Sequence, residues 1–371
     1  MIYFDYSNAG KELKSNIGWI RLKDPSTART IVSVIAAGLI SITVFSFSMV
    51  MVVLNQAASQ LSNRVIDRLI GNKVQQFILG FYIGTIIYSL LLLSSIRDIE
   101  SGIYVPALST YLLIFFSVVA IFLFVFFLHF ITQSIKYSVV IQRIFTETQK
   151  SLESSCRLGE EPAIEPIKEG QPVPAYKAGI FESFNREPLV ALLKEQNCSI
   201  SFRLSPGQFV LQGIPLYYIS HKHEKLAGDL LHKIDEHISI VDEESVQSNF
   251  YYGFRQLTEV AIKALSPGIN DPGTAVESIR ALVKLLAYRL LHHPDYTIKD
   301  TSGMVRIITT ERSFEQVFDN TLLPVWDYGC KDRFIQNELK ELLLQLQLFQ
   351  DNYVIRKLLT KVQAEINKSE P

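Results

Sequence analysis

Neither sign of charge dominates this chain. Lys plus Arg is 36 and Asp plus Glu is 37, a formal net charge of −1 over 371 residues. That excludes a nucleic-acid binder working through bulk positive charge. Cysteine is scarce as well. Cys156, Cys198 and Cys330 are odd in number, far apart and without a CxxC pair, so they imply neither a disulfide framework nor a zinc site. They read as reduced, mostly buried thiols, which suits a domain facing the cytoplasm. Local catalytic and cofactor signatures are missing: there is no P-loop, no GxGxxG after a strand, no GxSxG and no HExxH. No cofactor or metal is implied, and only an enzyme assembled from distant residues is left open. The most telling absence is local. Residues 31–131 hold seven charged side chains (Arg64, Asp67, Arg68, Lys73, Arg97, Asp98, Glu100) in 101 positions, whereas the other 270 positions hold 66. A wholly soluble protein is not expected.

Three uncharged runs fill that region. The first, 31–54, is 24 residues, about 36 Å as a helix against a hydrocarbon core of about 30 Å. The second is 77–96. The third is 104–131, with Pro106 in its first turn, where a helix tolerates proline. Each predicts a spanning helix, so the lipid bilayer is the first expected partner. Residues 1–30 lack the apolar core of a cleavable signal peptide. Charge counting leaves orientation open. Arg64, Arg68, Lys73, Lys136, Arg143 and Lys150 stand on one side, and Lys11, Lys14, Arg21, Lys23, Arg29 and Arg97 on the other.

The helix faces carry further signals. Ser41, Ser48, Asn55 and Ser62 recur every seven residues and Ser59 joins them, making one stripe. Such a stripe lines a hydrated path, or else lets helices pack closely while each serine bonds its own backbone. Gly80 and Gly84 form a GxxxG pair, with Tyr88 on the same face, which predicts close helix contact within the bundle or between subunits. His129 near the end of the third run is a functional candidate by position, or a solvated histidine at the interface.

Beyond the third run, helical spacing continues to about residue 153, and the Pro/Gly-rich stretch 154–178 reads as a linker. Short alternating segments between 179 and 243 predict a small β-barrel-like module, with strands at 179–184, 199–204, 208–211, 215–219 and 238–241 and helices near 187–196 and 224–236. From 244 to 371 the pattern is mainly helical. Phe254, Leu257, Ala261 and Leu265 fall on one face, and Val276, Ile279, Leu282, Val283, Leu286 and Leu290 on the next. Between them Ser266-Pro267 ends a helix, Gly268 is available for positive φ, and Asp271 caps the next helix with Pro272 at its first position. Residues 305–310 form a strand, and Ser313 with Gln316 a capping box. The fold class is therefore a three-span helical membrane bundle followed by an α+β region, after an N-terminal segment 1–30.

The run Gln256-Leu257-x-x-Val260-Ala261-x-x-Ala264-Leu265-Ser266-Pro267-Gly268-Ile269-Asn270-Asp271-Pro272-x-Thr274-Ala275 resembles the hallmark of the bacterial membrane proteins called domain of unknown function 2254. Phe45-Ser46-x-Ser48-Met49-Val50-x-Val52 with Ala57-x-Ser59-Gln60 and Arg64, and Pro206-Gly207-Gln208-Phe209-Val210 with Gly213 and Pro215-Leu216, are similar to it too. Two departures stand out. Family members tend to carry one more hydrophobic segment upstream, and Asn249 stands where an acidic residue is common, before the helix pair. The resemblance implies an inner-membrane protein with its large C-terminal domain in the cytoplasm, and no established activity.

Arg255, Glu259 and Lys263 share a helix face leading toward Asn270, Asp271 and Thr274. Either this is a polar pocket for a small ion or metabolite at the helix junction, or it is a capped hairpin with charge pairs on a solvated face. The histidines at 221, 223, 232 and 237 read as a surface cluster. Three functions follow in order. The first is a homo-oligomeric channel or passive transporter using the Ser/Asn stripe. The second is a membrane-tethered sensor or scaffold with a ligand at 266–274. The third is an enzyme using Arg255, Glu259 and Asp271.

Overall fold

The computed structural model describes residues 24–60, 73–96, 106–134, 136–159, 170–221 and 228–369. The chain divides into two compact units, 1–136 and 137–371.

The first unit contains helices α1 (Pro25–Gln60), α2 (Lys73–Ser95) and α3 (Ala107–Ser134), each packed on the other two. All three are long and apolar enough to cross a membrane, over Pro25–Asn55, Lys73–Ser95 and Ala107–Thr132. Their shared interior holds Leu39, Val50, Ile78, Tyr82, Ala120 and Phe127. Their outer faces carry exposed Val44, Phe45, Phe77, Leu91, Phe122 and Val125. Lipid tails are the solvent that suits such a surface, since no apolar residue gains by leaving it. The Arg29 guanidinium donates to the Ile96 carbonyl at 3.4 Å, joining the start of α1 to the end of α2.

The second unit begins with α4 (Tyr137–Ser155) and continues through β1 (Cys156–Leu158), β2 (Gln171–Pro174), β3 (Gly179–Phe184), α5 (Arg186–Glu195), β4 (Ser199–Phe202), β5 (Gln208–Val210), β6 (Pro215–Ser220), α6 (Gly228–Asp235) and β7 (Ile238–Val241). Then come α7 (Phe250–Ala264), α8 (Pro272–Leu291), β8 (His292–Pro294), β9 (Thr297–Lys299), β10 (Val305–Ile308), α9 (Phe314–Gly329), α10 (Arg333–Phe349) and α11 (Tyr353–Ser369). Helix α4 is separate from α3, and strands β1 and β2 fall inside the stretch 154–178.

Among the described residues the strands do not close a barrel. They form open sheets of order β5-β3-β7, β2-β6-β4-β10-β9 and β1-β8. The barrel expectation fails to become a ring because the central partner of β4 comes from far along the chain. Strand β10 pairs parallel to it, Ile307 opposite Ile200, and β9 then forms the edge. The two larger sheets share one core built on Phe181, Phe202, Tyr217, Ile238 and Ile307, with Leu189 and Leu193 of α5 against it. Phe181 and Phe202 stack with centroids 4.9 Å apart.

In the helical part, α4 packs against both members of the α7–α8 hairpin. The apolar positions expected on α8 are all buried, and so are those on α7 except Leu265. Asp271 caps α8 with Pro272 at the first turn, as the composition of that turn demands. The left-handed residue is Asn270 (φ 49°) rather than Gly268, a conformation asparagine tolerates better than other side chains. The Ser313–Gln316 capping box opens α9.

The α4–α7 crossing depends on one missing side chain. A methyl group added at Gly253 would overlap the buried Thr148 side chain of α4. Gly253→Ala therefore costs about 1–3 kcal/mol of stability or more, read as a lowered midpoint of thermal unfolding. A Thr148→Ala/Gly253→Ala double variant regains part of the loss, because it removes two of the three overlapping atoms. Unchanged unfolding of the single variant would refute the crossing.

Candidate functional site

The polar residues expected to matter fall into three places. In the first unit, Ser41 and Ser48 are exposed on the outer side of α1, and their hydroxyls donate to the carbonyls of Ala37 and Val44 at 3.0 and 2.9 Å. Asn55 lies on the same exposed side. The Ser59 side chain and all of Ser62 lie outside the described residues. Gly80 and Gly84 are exposed, and a methyl group added at either would meet no atom within 4 Å among the described residues, whereas Tyr88 reaches α3, its hydroxyl donating to the Ser109 carbonyl at 3.2 Å. His129 is exposed near the end of α3.

The second place is the hairpin tip. Asp271 accepts from the Thr274 amide at 3.1 Å and from the Thr274 hydroxyl at 2.6 Å, and its own amide donates to the Ala264 carbonyl at 2.8 Å. Asn270 projects at the exposed turn. Burial, together with the Asp271 carboxylate, raises the Tyr137 phenol above its ordinary value. That puts the tip beside the start of α4. Asp271 is thus spent on capping.

Arg255 does not join this group. It lies nine residues before Ala264, about 14 Å along the helix. Its guanidinium donates instead to Glu244 Oε2 at 2.7 Å and to the Gly207 carbonyl at 3.3 Å. A fully buried carboxylate needs a charged or strongly donating partner, and Glu244, whose side chain is 0% exposed, recruits this one. Glu259 is half-buried between the two places.

The third place is the cluster that Arg255 enters. Asn249 caps α7 by accepting from the Tyr251 amide at 3.1 Å, and its side-chain amide donates to Glu244 Oε1 at 3.0 Å. An amide does both tasks; a carboxylate there would face Glu244 with no proton to give. Gly207 closes the Pro206 turn against this group with φ +82°. A methyl group on it would come within 2.6 Å of the Asn249 amide and 2.9 Å of Glu244. The Arg312 guanidinium stacks over the Tyr251 ring at 4.8 Å and donates to the Pro206 carbonyl at 3.3 Å. The Tyr251 hydroxyl donates to Glu311 Oε2 at 3.0 Å and accepts from the Arg312 amide at 3.1 Å. Arg289, fully buried, donates to the Arg312 carbonyl at 2.9 Å and meets His293 Nδ1 at 2.8 Å.

Beside this network is a cavity of about 270 Å³. Ser154 and Ser155 end α4 on its wall; Glu182, Ser183 and Phe184 come from β3, and Arg186 from α5. The start of α7 supplies Asn249, Phe250 and Tyr251, and Asp295, Thr309 and Glu311 close it from the connections around β9 and β10. Burial pushes the Glu311 carboxyl from its ordinary 4.5 up to about 7, although the Tyr251 hydroxyl and the Arg289 charge pull the other way. Burial and the Glu311 charge likewise raise the Tyr251 phenol far above its usual range. A partly apolar cleft with convergent polar groups and a displaced carboxyl is the arrangement from which binding sites are made. Among the described residues no group of three or more His, Cys, Asp or Glu is placed to hold a metal, and residues 222–227 of the histidine-rich stretch lie outside them.

The family described as "Predicted membrane protein (DUF2254)" has a model that matches residues 1–345. The chain belongs to this family. Similar curated proteins are the uncharacterized proteins Mb1321c of Mycobacterium bovis and Rv1290c of Mycobacterium tuberculosis, each 23% identical over 333 residues. The uncharacterized protein MT1328 of Mycobacterium tuberculosis is 22% identical over the same length. The match covers 86% of this chain and 63% of each relative. No solved structure matches. One stretch that carries the resemblance to DUF2254, the Pro206-Gly207-Gln208 turn, meets the third cluster, and the run that begins at Gln256 follows directly after its Arg255. The motif tip at 266–274 does not reach it.

Two outcomes check these assignments. As a cap, Asp271→Asn leaves thermal stability within about 0.5 kcal/mol, whereas Asp271→Ala costs about 1 kcal/mol. Glu311 binds its proton more tightly in the folded than in the unfolded chain. Its contribution is therefore complete below pH 4.5 and is lost as pH rises through about 7, by up to about 3 kcal/mol. Denaturant titrations of the wild type minus Glu311→Gln isolate that fall; parallel profiles would contradict it.

Proposed function

We propose that this membrane protein is a ligand sensor: a small polar molecule binds the cavity bounded by Glu182, Asn249, Tyr251 and Glu311, and α4 carries the consequence toward the membrane. The observation that supports this reading is the double attachment of α4. Its last residues, Ser154 and Ser155, line the cavity, and its first residue, Tyr137, follows Lys136 a few positions after the end of α3 at Ser134. A helix transmits displacement along its axis because each backbone hydrogen bond would have to stretch to absorb it. The ligand site moves, in this reading, from the 266–274 tip, where Asp271 is occupied in capping, to a cleft with room for a molecule. We assign the second unit to the cytoplasmic side of a bacterial inner membrane, as the family resemblance implies and as free, buried Cys156 and Cys198 suit.

A second reading rests on the outward faces of the first unit. Ser41, Ser48 and Asn55 on α1, and Gly80 and Gly84 on α2, are all exposed. A homo-oligomer would bury them, and a channel-like passage would need such self-association, since three helices enclose little space. Mass photometry of the protein in nanodiscs tests it, and a monomer counts against it.

The sensor reading is tested by thermal unfolding of the full-length protein in lipid nanodiscs against a panel of amines, carboxylates, phosphates and divalent cations. A ligand present at a hundred times its Kd stabilises by about 2.7 kcal/mol, and a unit of this size shifts by about 2–4 °C per kcal/mol. The expected outcome is at least one member raising the midpoint by about 5 °C or more, with the shift lost in Ser183→Trp, which fills the cavity. No shift from any member overturns the reading.

A further inference from the structure

The charge balance of the cavity wall indicates which ligand chemistry it takes; this step rests on the sensor reading. Three carboxyl groups line the cavity, Glu182, Asp295 and Glu311, against one guanidinium, Arg186. Arg186 is committed: it donates to Asp295 Oδ2 at 3.1 Å. The neighbouring arginines lie behind the wall and are engaged there, Arg255 on Glu244, Arg312 on Pro206 and Tyr251, and Arg289 on the 312 and 292 carbonyls.

Glu182 and Glu311 are left with neutral donors. Glu182 is buried, 8% exposed, and one of its oxygens accepts from the Ser245 amide at 2.7 Å. Its second oxygen, Oε2, has no hydrogen-bond partner among the described residues. Glu311 accepts from the Tyr251 hydroxyl. Buried carboxylates are ordinarily paired with a cation, and here the space where one would sit is the cavity itself. The rest of the wall is not that of a bare-ion site. Phe184, Phe250, Pro206, Pro294 and Ile298 contribute apolar surface. The volume lies just below the range of drug-sized pockets, room for a few carbons and a head group.

We infer that the cavity binds a small organic cation, a primary ammonium on a short apolar body, with its charge taken by Glu182 and Glu311.

Three probes of matched length separate charge from shape: n-butylammonium, 1-butanol and butyrate. Each has few heavy atoms, so millimolar affinity is expected. Saturation-transfer NMR on the full-length protein in phosphatidylcholine nanodiscs at pH 8 should show saturable butylammonium binding at least tenfold tighter than either isostere. Glu182→Gln, which keeps the acceptor for Ser245, should weaken it about tenfold, and so should Glu311→Gln. Ser183→Trp should abolish it. If butanol or butyrate binds as well or better, with Ser183→Trp still abolishing binding, the cationic assignment falls and the sensor site stands. If magnesium alone binds and butylammonium does not, the assignment to an organic cation falls likewise. If butylammonium binding survives both glutamine variants, it is not in this cavity and the inference is overturned. Silence from every probe, together with no thermal shift across the wider panel, removes both the inference and the sensor reading.

Discussion

The buried guanidinium of Arg289 is the constraint on which the site depends. It ends α8 with no exposed surface, yet it carries a full charge in a region packed by Leu285, Leu286 and Leu290. Such a group is tolerated only when its donors are used and a countercharge is near. Both conditions fix geometry. Its donors reach the His292 carbonyl, the His293 ring and the Arg312 carbonyl, which pins the connection between β10 and α9 against the end of α8. Glu311 supplies a field of opposite sign, and Arg289 in turn helps hold that carboxyl's proton affinity down. The two residues therefore constrain each other: Arg289 holds the Arg312 carbonyl, while Tyr251 holds the Glu311 carboxylate and the Arg312 amide beside it.

From that anchor the rest of the cluster follows by hydrogen bonding. Arg312 lies over Tyr251, Tyr251 bonds Glu311, and the start of α7 is set by the Asn249 cap. Asn249 then reaches Glu244, Glu244 takes Arg255, and Arg255 holds the Gly207 carbonyl of the turn after β4. Sheet, turn and helix hairpin are thus tied through polar groups rather than through apolar packing alone. Polar ties of this kind have fewer satisfactory arrangements than an oily contact, because each leaves an uncompensated group if it slips. A cavity bounded by them has a defined shape.

The spans could be read in the sequence because a bilayer excludes charge over a length that a helix must cover, and seven charges in 101 residues leave no other reading of the three gaps. The hairpin tip was legible for a similar reason: Asp271-Pro272 and Ser313 with Gln316 act on amides two or three residues away. The five-stranded sheet was not, since the pairing of Ile307 with Ile200 spans over a hundred residues and no local pattern encodes it. The cluster was hidden by the same distance. Glu182, Gly207, Glu311 and the Asn249–Arg255 pair sit on four different segments, and helical spacing grouped Arg255 with the 266–274 tip rather than with these residues. One signal was present. Arg289 interrupts the apolar face of α8 between Leu286 and Leu290, where a charge has no reason to be unless something buried answers it.

The position of α4 gives this arrangement a consequence beyond binding. Thr148 sits where Gly253 leaves no side chain, so the two helices meet backbone to side chain with no gap to absorb motion. Well-packed contacts shift between discrete positions rather than deforming continuously. In the proposed sensor a ligand drawn toward Glu182 and Glu311 would act on the end of α4 through Ser154 and Ser155, while the start of α7, capped by Asn249, lines the same cavity. On the sensor reading, closing the cavity would move these two walls together, and the Thr148–Gly253 contact would pass that approach to α4 as a body. The residue at the far end of that body is Tyr137, beside Asp271 in the motif tip. On the sensor reading, the tip and the cavity are then the two ends of one lever, and the tight Asp271–Thr274 cap gives its far end a fixed surface to act on.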